Sequence, residues 1–289
     1  IFNIFFYVCN NDYSLELYKN YVDLIGIWLY FASKHSSISC SKSLNIFIYL
    51  NPHKKHLPNN NLEILDVEHV NSAFTTSCTL NGEILVFRTE EWFKVLIHET
   101  FHVFGLDFSS LNITPQKELM KKTFEINSNF NISESYCEFW ARFLNILFFS
   151  YINYKSFKDF KLSFEINIAI ESLFSLMQLN KILNHMGLTY DILCNPSTKH
   201  ICKKLFKEKS NVFAYYVLTS ILLNNVNETL DWCNNNNIML CRFKLTPYNV
   251  DNYVKHILSI YNKKSLKTTL SKLDNFPDNS TRMTAFEFN

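Results

Sequence analysis

The sequence contains one pentapeptide whose residue types and spacing suit metal-dependent hydrolysis, HETFH at residues 98–102. His98 and His102 are four residues apart, so a helix would place both imidazoles on one face, about 6 Å apart, within reach of one Zn²⁺ ion. Glu99 would face a water molecule that zinc makes acidic near neutral pH, and would pass the proton of that water to a leaving amine. We therefore predict a zinc site with His98 and His102 as ligands and Glu99 as general base.

A catalytic zinc ion needs a third protein ligand, which leaves its fourth position open for water. Three carboxylates downstream of the histidines are candidates: Asp107, Glu134 and Glu138. The two glutamates are four residues apart and share one face of a predicted helix. Acids would also be favourable there without a metal, because the helix dipole stabilises negative charge in the first turn. The residue types alone leave the choice of ligand open.

The HETFH motif lies in a segment with strong helical periodicity, which we expect to run from about Glu90 to Phe104. Thr89 precedes two acidic residues and is the expected N-cap. Gly105 can end the helix because glycine readily adopts the left-handed conformation. The two histidines would therefore lie in the last two turns of this helix.

The chain before this helix carries signals for β-strands and for one further helix. Two β-rich runs, Val70–Leu80 and Glu83–Arg88, flank Asn81-Gly82, a dipeptide suited to the two positive φ angles of a type I′ turn. We predict a β-hairpin with its turn at this dipeptide. The other predicted elements are the strands Ile1–Val8 and Ser43–Leu50 and a helix from Leu15 to about Ser33.

After Gly105 the β signal fades and long segments with helical periodicity dominate. We predict an α+β fold with a sheet-and-helix lobe at residues 1–108 and a mainly helical lobe at residues 109–289. The first lobe would end in the HETFH helix, and the second would carry the two glutamates. Together they would form one catalytic domain with the site in the cleft between them. The predicted helices of the second lobe are Ser133–Tyr154, Phe164–Met186, Val212–Cys233 and Asn249–Tyr261.

The composition argues against several other function classes. The 289 residues include 28 Lys and Arg against 26 Asp and Glu, and this net charge of +2 is scattered, which argues against nucleic-acid binding. With 47% hydrophobic residues, the chain has enough apolar surface to fold. No run of 18 apolar residues occurs, and the most apolar segment contains Arg142 and Asn145. We therefore predict no membrane span.

The eight cysteines are scattered through the chain without a CxxC pair, at positions 9, 40, 78, 137, 194, 202, 233 and 241. This pattern does not indicate a disulfide framework. Scattered free cysteines are typical of small buried side chains in a reducing compartment. We therefore expect free cysteines and an intracellular, cytoplasmic location.

The order of strands, edge hairpin and HETFH helix resembles the zincin superfamily of zinc metallopeptidases, over roughly residues 44–145. In zincins an edge strand pairs with the extended substrate, so the resemblance implies that Val70–Leu80 or Glu83–Arg88 binds substrate by strand addition. The string HETFHVFGLDFS is also similar to uncharacterised metallopeptidases of large DNA viruses. That similarity implies a viral or host-cell cytoplasmic setting.

Within the zincins, the chain is most similar to the gluzincins and their compact relatives, the minigluzincins. Gluzincins take their third zinc ligand from a glutamate on a downstream helix, and the pattern of Glu134, Glu138 and Ala141 resembles theirs. This implies that Glu134 is the third ligand and that Glu138 orients a histidine, with the reverse assignment as the alternative. The chain departs from the metzincin pattern, because Phe108 stands where that pattern has its third histidine. Asp107 lies one residue short of that position, and an orienting or capping role is preferred for it.

The resemblance implies a zinc-dependent metallopeptidase that cleaves a polypeptide in the cleft between the lobes. Zincins also use a Tyr, His or Arg of the second lobe to stabilise the oxyanion, and His185, Tyr190 and Arg142 are candidates by residue type alone. The alternative is a catalytically inactive binding or structural protein that keeps the zincin scaffold. A third hypothesis is zinc-dependent hydrolysis of a substrate other than a peptide. The intact Glu99 favours an enzyme, because a purely structural metal site does not need it.

Overall fold

A computed structural model of the chain describes residues 1–8, 14–154, 156–273 and 278–288. In these residues a small four-stranded sheet is combined with twelve α-helices. All four strands lie before residue 87, and the described chain after residue 108 consists of helices and loops. The predicted combination of a small sheet with mainly helical structure is confirmed.

The sheet is mixed, with both parallel and antiparallel pairs. Its strands are β1 (Phe2–Tyr7), β2 (Ser43–Tyr49), β3 (Ala73–Thr75) and β4 (Asn81–Val86). They lie in the order β1-β2-β4-β3, and β3 is the only one that runs antiparallel to its neighbour. Alternate side chains of β2 and β4 are buried, because helices cover one face of the sheet. The fully buried ones are Leu44, Ile46, Ile48, Ile84 and Val86.

The helices in chain order are α1 (Leu15–His35), α2 (Val67–Val70), α3 (Trp92–Val103), α4 (Thr114–Phe124), α5 (Ser133–Ile152), α6 (Phe157–His185), α7 (Tyr190–Cys194), α8 (Lys199–Leu205), α9 (Thr219–Leu223), α10 (Val226–Asn236), α11 (Pro247–Ile260) and α12 (Lys264–Leu270). A 3₁₀ turn at Pro196–Thr198 and a π-helix at Phe213–Leu218 complete the regular structure of the described residues. Helix α3, which carries the HETFH motif, packs against β3, β4 and α5. It therefore lies between the sheet and the helical second half of the chain.

Helix α1 confirms the predicted helix from Leu15 and supports α3. Its N-cap is Ser14, whose side chain accepts a hydrogen bond from the backbone N–H of Leu17. The apolar face predicted from periodicity is buried against the sheet and α3. Trp28 Nε1 also donates a hydrogen bond of 2.7 Å to Thr100 Oγ1, inside the HETFH motif. Helix α1 thus helps to fix the rotation of the motif helix.

The predicted hairpin is present, but its predicted turn at Asn81-Gly82 is wrong. Residues 76–80 connect β3 to β4, and Asn81 and Gly82 are the first two residues of β4. Glycine is required there for close packing and not for a turn. A Cβ atom on Gly82 would lie 2.5 Å from Ser41 Oγ and 2.6 Å from Val103 Cγ2. Of the two predicted runs, only the first supplies an edge strand, because β4 lies between β2 and β3.

Helix α3 begins two residues later than predicted, and the prediction of Thr89 as its N-cap is wrong. Glu91 occupies the N-cap position with φ 61°, and its side chain makes no capping hydrogen bond. Its carboxylate points inward, where it pairs with Lys55 Nζ at 2.5 Å and accepts the backbone N–H of Met283. This ion pair joins residues far apart in the sequence, so the local sequence does not indicate it. Gly105 ends the helix with φ +62°, as predicted.

Cys40 and Cys78 form a disulfide bond, so the prediction of free cysteines is wrong for this pair. Their separation of 38 positions in the sequence carries no spacing signal. The fold brings them together because the residues before β2 pair with the β3–β4 connection, where the Ser41 N–H donates to the Thr79 carbonyl at 2.6 Å. Cys9 lies outside the described residues. The free and buried cysteines are Cys137, Cys194, Cys202, Cys233 and Cys241.

The predicted single helix Val212–Cys233 is wrong, because the segment divides into the π-helix Phe213–Leu218, α9 and α10. The α9–α10 break falls at Asn224 and Asn225. The side-chain amide of each donates to the backbone carbonyl four residues earlier. Asparagine side chains compete in this way with the backbone for helix carbonyls.

Helix α6 starts earlier than predicted and is 29 residues long. Among the described helices, it alone is long and apolar enough to cross a membrane, and 28% of its most apolar 18-residue stretch is buried. The absence of a membrane span therefore stays a prediction from the sequence.

We expect Gly82→Ala to destabilise the protein by about 1–3 kcal/mol, because the added methyl group would force α3 away from β4. Gly26→Ala is the matched control: it lies on α1, and an added Cβ meets nothing within 4 Å. That change should be neutral or stabilise by up to about 1 kcal/mol. Urea unfolding followed by circular dichroism measures both. Equal midpoints for Gly82→Ala and wild type would refute the close approach of α3 to β4.

Candidate metal centre

Three side chains from α3 and α5 converge at one point. His98 Nε2 lies 3.0 Å from Glu134 Oε2 and 3.3 Å from His102 Nε2, and His102 Nε2 lies 3.4 Å from the same glutamate oxygen. Both histidines are buried, and Glu134 is partly exposed. The helical spacing of four residues aligns the imidazoles, and the packing of α5 against α3 adds the carboxylate.

This triangle of atoms fits a zinc ion. Zinc binds imidazole nitrogen and carboxylate oxygen at about 2.0–2.1 Å with tetrahedral geometry, so its ligand atoms lie roughly 3.3–3.4 Å from one another. The observed separations of 3.3 and 3.4 Å match that requirement, and the third, 3.0 Å, is slightly shorter. The donor set of two imidazoles and one carboxylate is also one that zinc uses in hydrolytic sites. The residues that would hold the ion are His98, His102 and Glu134.

A carboxylate faces the second nitrogen of each histidine. Glu138 Oε2 lies 3.0 Å from His98 Nδ1, and Asp107 Oδ2 lies 2.8 Å from His102 Nδ1. Glu138 is held in turn by Lys94 Nζ at 2.8 Å. Such contacts fix the orientation of an imidazole and leave its Nε2 lone pair free for a metal. Glu138 and Asp107, the alternative ligand candidates from the sequence, therefore contact the Nδ1 atoms. Glu134 instead contacts the Nε2 atoms of both histidines.

The buried charges of the site shift the pKa values of its own side chains. Burial alone lowers the pKa of His98, but hydrogen bonds to Glu134 and Glu138 outweigh burial and raise this pKa to about 9. Burial raises the pKa of Glu138, yet Lys94 and His98 together lower it to about 2. Without a cation, protonated histidines therefore offset the buried carboxylates. A metal ion would take over that positive charge, so its binding should release protons.

Glu99 lies beside His98 and lines a small cavity of about 30 Å³, which His98, alone of the three converging side chains, also lines. It is partly exposed, so water can reach it. Burial of the carboxylate raises the pKa of Glu99, and the neighbouring histidines only partly oppose this. A carboxylate with a raised pKa is a better proton acceptor near neutral pH.

The three side chains proposed from the sequence as oxyanion stabilisers are engaged elsewhere. The Tyr190 hydroxyl donates to the backbone carbonyl of Tyr261 at 2.7 Å. Arg142 Nε pairs with Glu171 at 2.5 Å, and His185 Nε2 contacts a backbone carbonyl in the loop before α2. None of the three lines the cavity beside Glu99.

Tyr215, which is not among the candidates predicted from the sequence, also lies at the site. Its hydroxyl donates to Glu134 Oε2 at 3.1 Å, and its ring centre lies 5.8 Å from that of His98. Burial raises the pKa of Tyr215 well above its usual value, so the hydroxyl remains a donor at neutral pH. Tyr215 lies in the π-helix, a widened turn that is frequent at functional sites. Nothing in the local sequence distinguishes it from the buried aromatic residues around it.

Two other groups of possible metal ligands occur in the described residues. In the exposed group, His69 Nδ1 accepts the backbone N–H of Asp66 at 3.0 Å. The neutral ring must then carry its proton on Nε2, the nitrogen that faces the acids, so it cannot bind a metal there. The exposed group is Glu63, Glu68 and His69, and the buried group is His102, Asp107 and Cys137, which shares its histidine with the site.

No protein-family model, curated protein or solved structure matches this chain. The chemistry of the site therefore rests on its own residues. These are two oriented imidazoles, one converging carboxylate, an adjacent proton acceptor and a buried hydroxyl donor, and His98, Glu99 and Tyr215 among them line the cavity.

We expect Glu134→Ala to abolish stoichiometric zinc binding, because among the described residues it removes the only carboxylate that faces both Nε2 atoms. Asp107→Asn should retain zinc and weaken its affinity about 10–100-fold, because it changes only the partner of His102 Nδ1. Both variants should be checked for folding by circular dichroism and then titrated with zinc against a chelator of known affinity. The reverse order of the two losses would show that Asp107 is the ligand.

Proposed function

We propose that the protein is a zinc-dependent metallopeptidase with a zincin-like, gluzincin type of site. One observation carries the proposal: His98 Nε2, His102 Nε2 and Glu134 Oε2 lie 3.0–3.4 Å from one another beside Glu99. This spacing matches the edges of a tetrahedral zinc site and puts a proton acceptor next to it. The side chains come from both predicted lobes, which supports a site in the cleft between them.

His98, His102 and Glu134 would hold the metal ion. When bound, zinc supplies a Lewis acid that polarises a carbonyl group and makes water acidic near neutral pH. Glu138 and Asp107 hold the two imidazoles through their Nδ1 atoms. These contacts direct both Nε2 lone pairs towards the same point. The ligands therefore need not rearrange when substrate binds.

Glu99 would act as general base and then as general acid. Its carboxylate takes a proton from the attacking water and later donates that proton to the nitrogen of the leaving amine. The raised pKa that burial gives this carboxyl group suits both steps, because the group must accept and release the same proton near neutral pH.

Tyr215 would stabilise the oxyanion that develops on the attacked carbonyl oxygen. Its hydroxyl lies at the ligand carboxylate of Glu134, its raised pKa keeps the proton in place, and it lines the same cavity as Glu99. A buried, preoriented donor is effective because it needs no rearrangement as charge develops.

The edge strand β3 supports a polypeptide substrate. It lies at the end of the sheet and packs beside α3, and Ala73 lines the cavity at the site. An extended peptide can add to such an edge through backbone hydrogen bonds, which would carry it past Glu99. The edge strand and the motif helix together support the zincin-like arrangement.

We expect Glu99→Gln to bind one zinc ion per chain and to lose peptidase activity by at least about 10²-fold, because glutamine cannot accept the proton. His102→Ala should lose both zinc and activity. Zinc content by mass spectrometry and cleavage of denatured casein measure the two properties. A wild-type protein that binds zinc but cleaves no peptide would instead support a catalytically inactive zincin scaffold.

For Tyr215→Phe we predict unchanged zinc content and a fall in kcat of about 10²–10³-fold, with a smaller change in KM. These values follow from the loss of one oxyanion donor. Tyr216→Phe is the matched control, since its hydroxyl donates to the Thr281 carbonyl outside the cavity. If Tyr215→Phe loses zinc while its residual kcat per bound zinc stays at the wild-type value, Tyr215 only orients Glu134.

A further inference from the structure

Two segments that a disulfide bond joins hold the last turn of α3. The backbone N–H of Cys78, in the β3–β4 connection, donates to the His102 carbonyl at 3.1 Å. Ser41, directly after Cys40, donates through its Oγ to the Val103 carbonyl at 2.9 Å. The last carbonyl groups of a helix lack regular helical partners, so groups from outside the helix stabilise them. The Cys40–Cys78 bond therefore joins the two segments that hold the end of the helix carrying His102.

The disulfide also packs directly on the turn that follows α3. A Cβ atom on Gly105 would lie 2.8 Å from Cys40 Sγ and 3.5 Å from Cys78 Sγ, so both sulfur atoms lie against this glycine. Two residues later, Asp107 Oδ2 lies 2.8 Å from His102 Nδ1. The disulfide thus borders the turn between a proposed zinc ligand and the carboxylate that orients it.

The backbone on both sides of this bond has an unfavourable conformation. Cys78 has φ 41° and Ser41 has φ 46°, in the left-handed region that residues other than glycine seldom adopt. Such conformations persist only where the surrounding structure enforces them. The disulfide is one such constraint, because it fixes the position of Cys78 relative to Cys40. Opening the bond would let the connection relax towards negative φ and withdraw the Cys78 N–H from the His102 carbonyl.

A reductant can approach this bond from solvent. Cys78 is exposed, whereas Cys40 and the five free cysteines of the described residues are buried. Thiol–disulfide exchange requires that a thiolate reach one of the two sulfur atoms, so the exposed residue is the one open to attack. In the reducing compartment predicted from the sequence, a disulfide is typically transient and redox-sensing.

We propose that Cys40–Cys78 is a reversible modification site, at which a dithiol reductant opens the disulfide and thereby lowers the zinc affinity of the metal centre. A thiolate of the reductant attacks Cys78 Sγ, and Cys40 Sγ leaves as a thiolate that takes up a proton. The second thiol of the reductant then attacks the mixed disulfide, which releases Cys78 as a thiol and the reductant as a disulfide. Two electrons and two protons pass to the protein. The inference rests on the zinc site of the proposed function and adds its regulation.

Zinc binding and opening of the disulfide must affect each other equally. If reduction lowers the zinc affinity 10-fold, saturation with zinc makes reduction 10-fold less favourable, because coupling between two sites is reciprocal. For this two-electron reaction, a tenfold change in the equilibrium constant corresponds to about 30 mV. We expect a coupling of about 10-fold or more, so bound zinc should lower the reduction potential of Cys40–Cys78 by at least about 30 mV.

The first test compares zinc affinities. Wild type is titrated with zinc against a chelator of known affinity, as the disulfide and after reduction, with the reductant removed under argon. Cys40→Ala/Cys78→Ala supplies the open state without thiols that could bind zinc. Cys202→Ala is the matched control, because Cys202 is buried and donates to the Ile192 carbonyl in α7. Circular dichroism checks the fold of every sample.

Reduced wild type and the double variant should bind zinc about 10-fold or more weakly than oxidised wild type and Cys202→Ala. Equal affinities in all four samples would overturn the inference and show that the disulfide only stabilises the fold. If oxidised wild type binds no zinc, the metal centre of the proposed function fails, and its regulation by Cys40–Cys78 fails with it.

The second test measures the reduction equilibrium itself and needs no cysteine variant. Wild type and His102→Ala are equilibrated with mixtures of reduced and oxidised dithiothreitol, without zinc or with free zinc held constant by a chelator. Alkylation followed by mass spectrometry counts the free thiols of Cys40 and Cys78. Zinc should lower the reduction potential by at least about 30 mV in wild type and leave it unchanged in His102→Ala, which lacks a ligand. A wild type that binds zinc but shows no shift would overturn the inference and leave the proposed function intact.

Discussion

The contact between α3 and α5 depends on a pair of buried opposite charges. Glu138 accepts from Lys94 with one carboxylate oxygen and meets His98 Nδ1 with the other. Buried charges are tolerated only when they are paired. The pairing of Lys94 and His98 with Glu138 therefore constrains how α3 and α5 pack against each other. In this packing arrangement Glu134, which lies one turn before Glu138 on α5, contacts the Nε2 atoms of His98 and His102. The convergence of His98, His102 and Glu134 is therefore a consequence of the packing of the two helices.

Residues 283–288 make hydrogen bonds to the start of α3 and to α6. Backbone N–H groups of Met283 and Ala285 donate to the buried carboxylates of Glu91 and Glu171, and Trp92 Nε1 donates to the Phe288 carbonyl. These bonds supply partners for carboxylates that would otherwise be buried without hydrogen bonds. They also explain why α3 starts at an unusual N-cap. The end of the chain thus helps to position the beginning of the motif helix, and its Met283 forms one wall of the cavity.

The residues of the proposed site lie partly on regular helices and partly on less regular backbone. The histidines and their partner carboxylates lie in or directly after buried helices, where packing limits motion. Tyr215 instead lies on a π-helix, and the edge strand β3 has three residues. In the proposed function, the ligands would stay in place while the groups that contact substrate lie on less regular backbone. A short edge strand also limits unwanted pairing between molecules.

The sequence by itself determined those features that depend on neighbours a few residues away. These include the helix that aligns His98 with His102, its end at Gly105, and the alternation that buries one face of β2. Only the tertiary structure decided which groups from distant segments meet. The Cys40–Cys78 bond and the place of Tyr215 at the site both depend on contacts between distant segments. Local periodicity reports which side of an element is buried, but it carries no information about what that side is buried against.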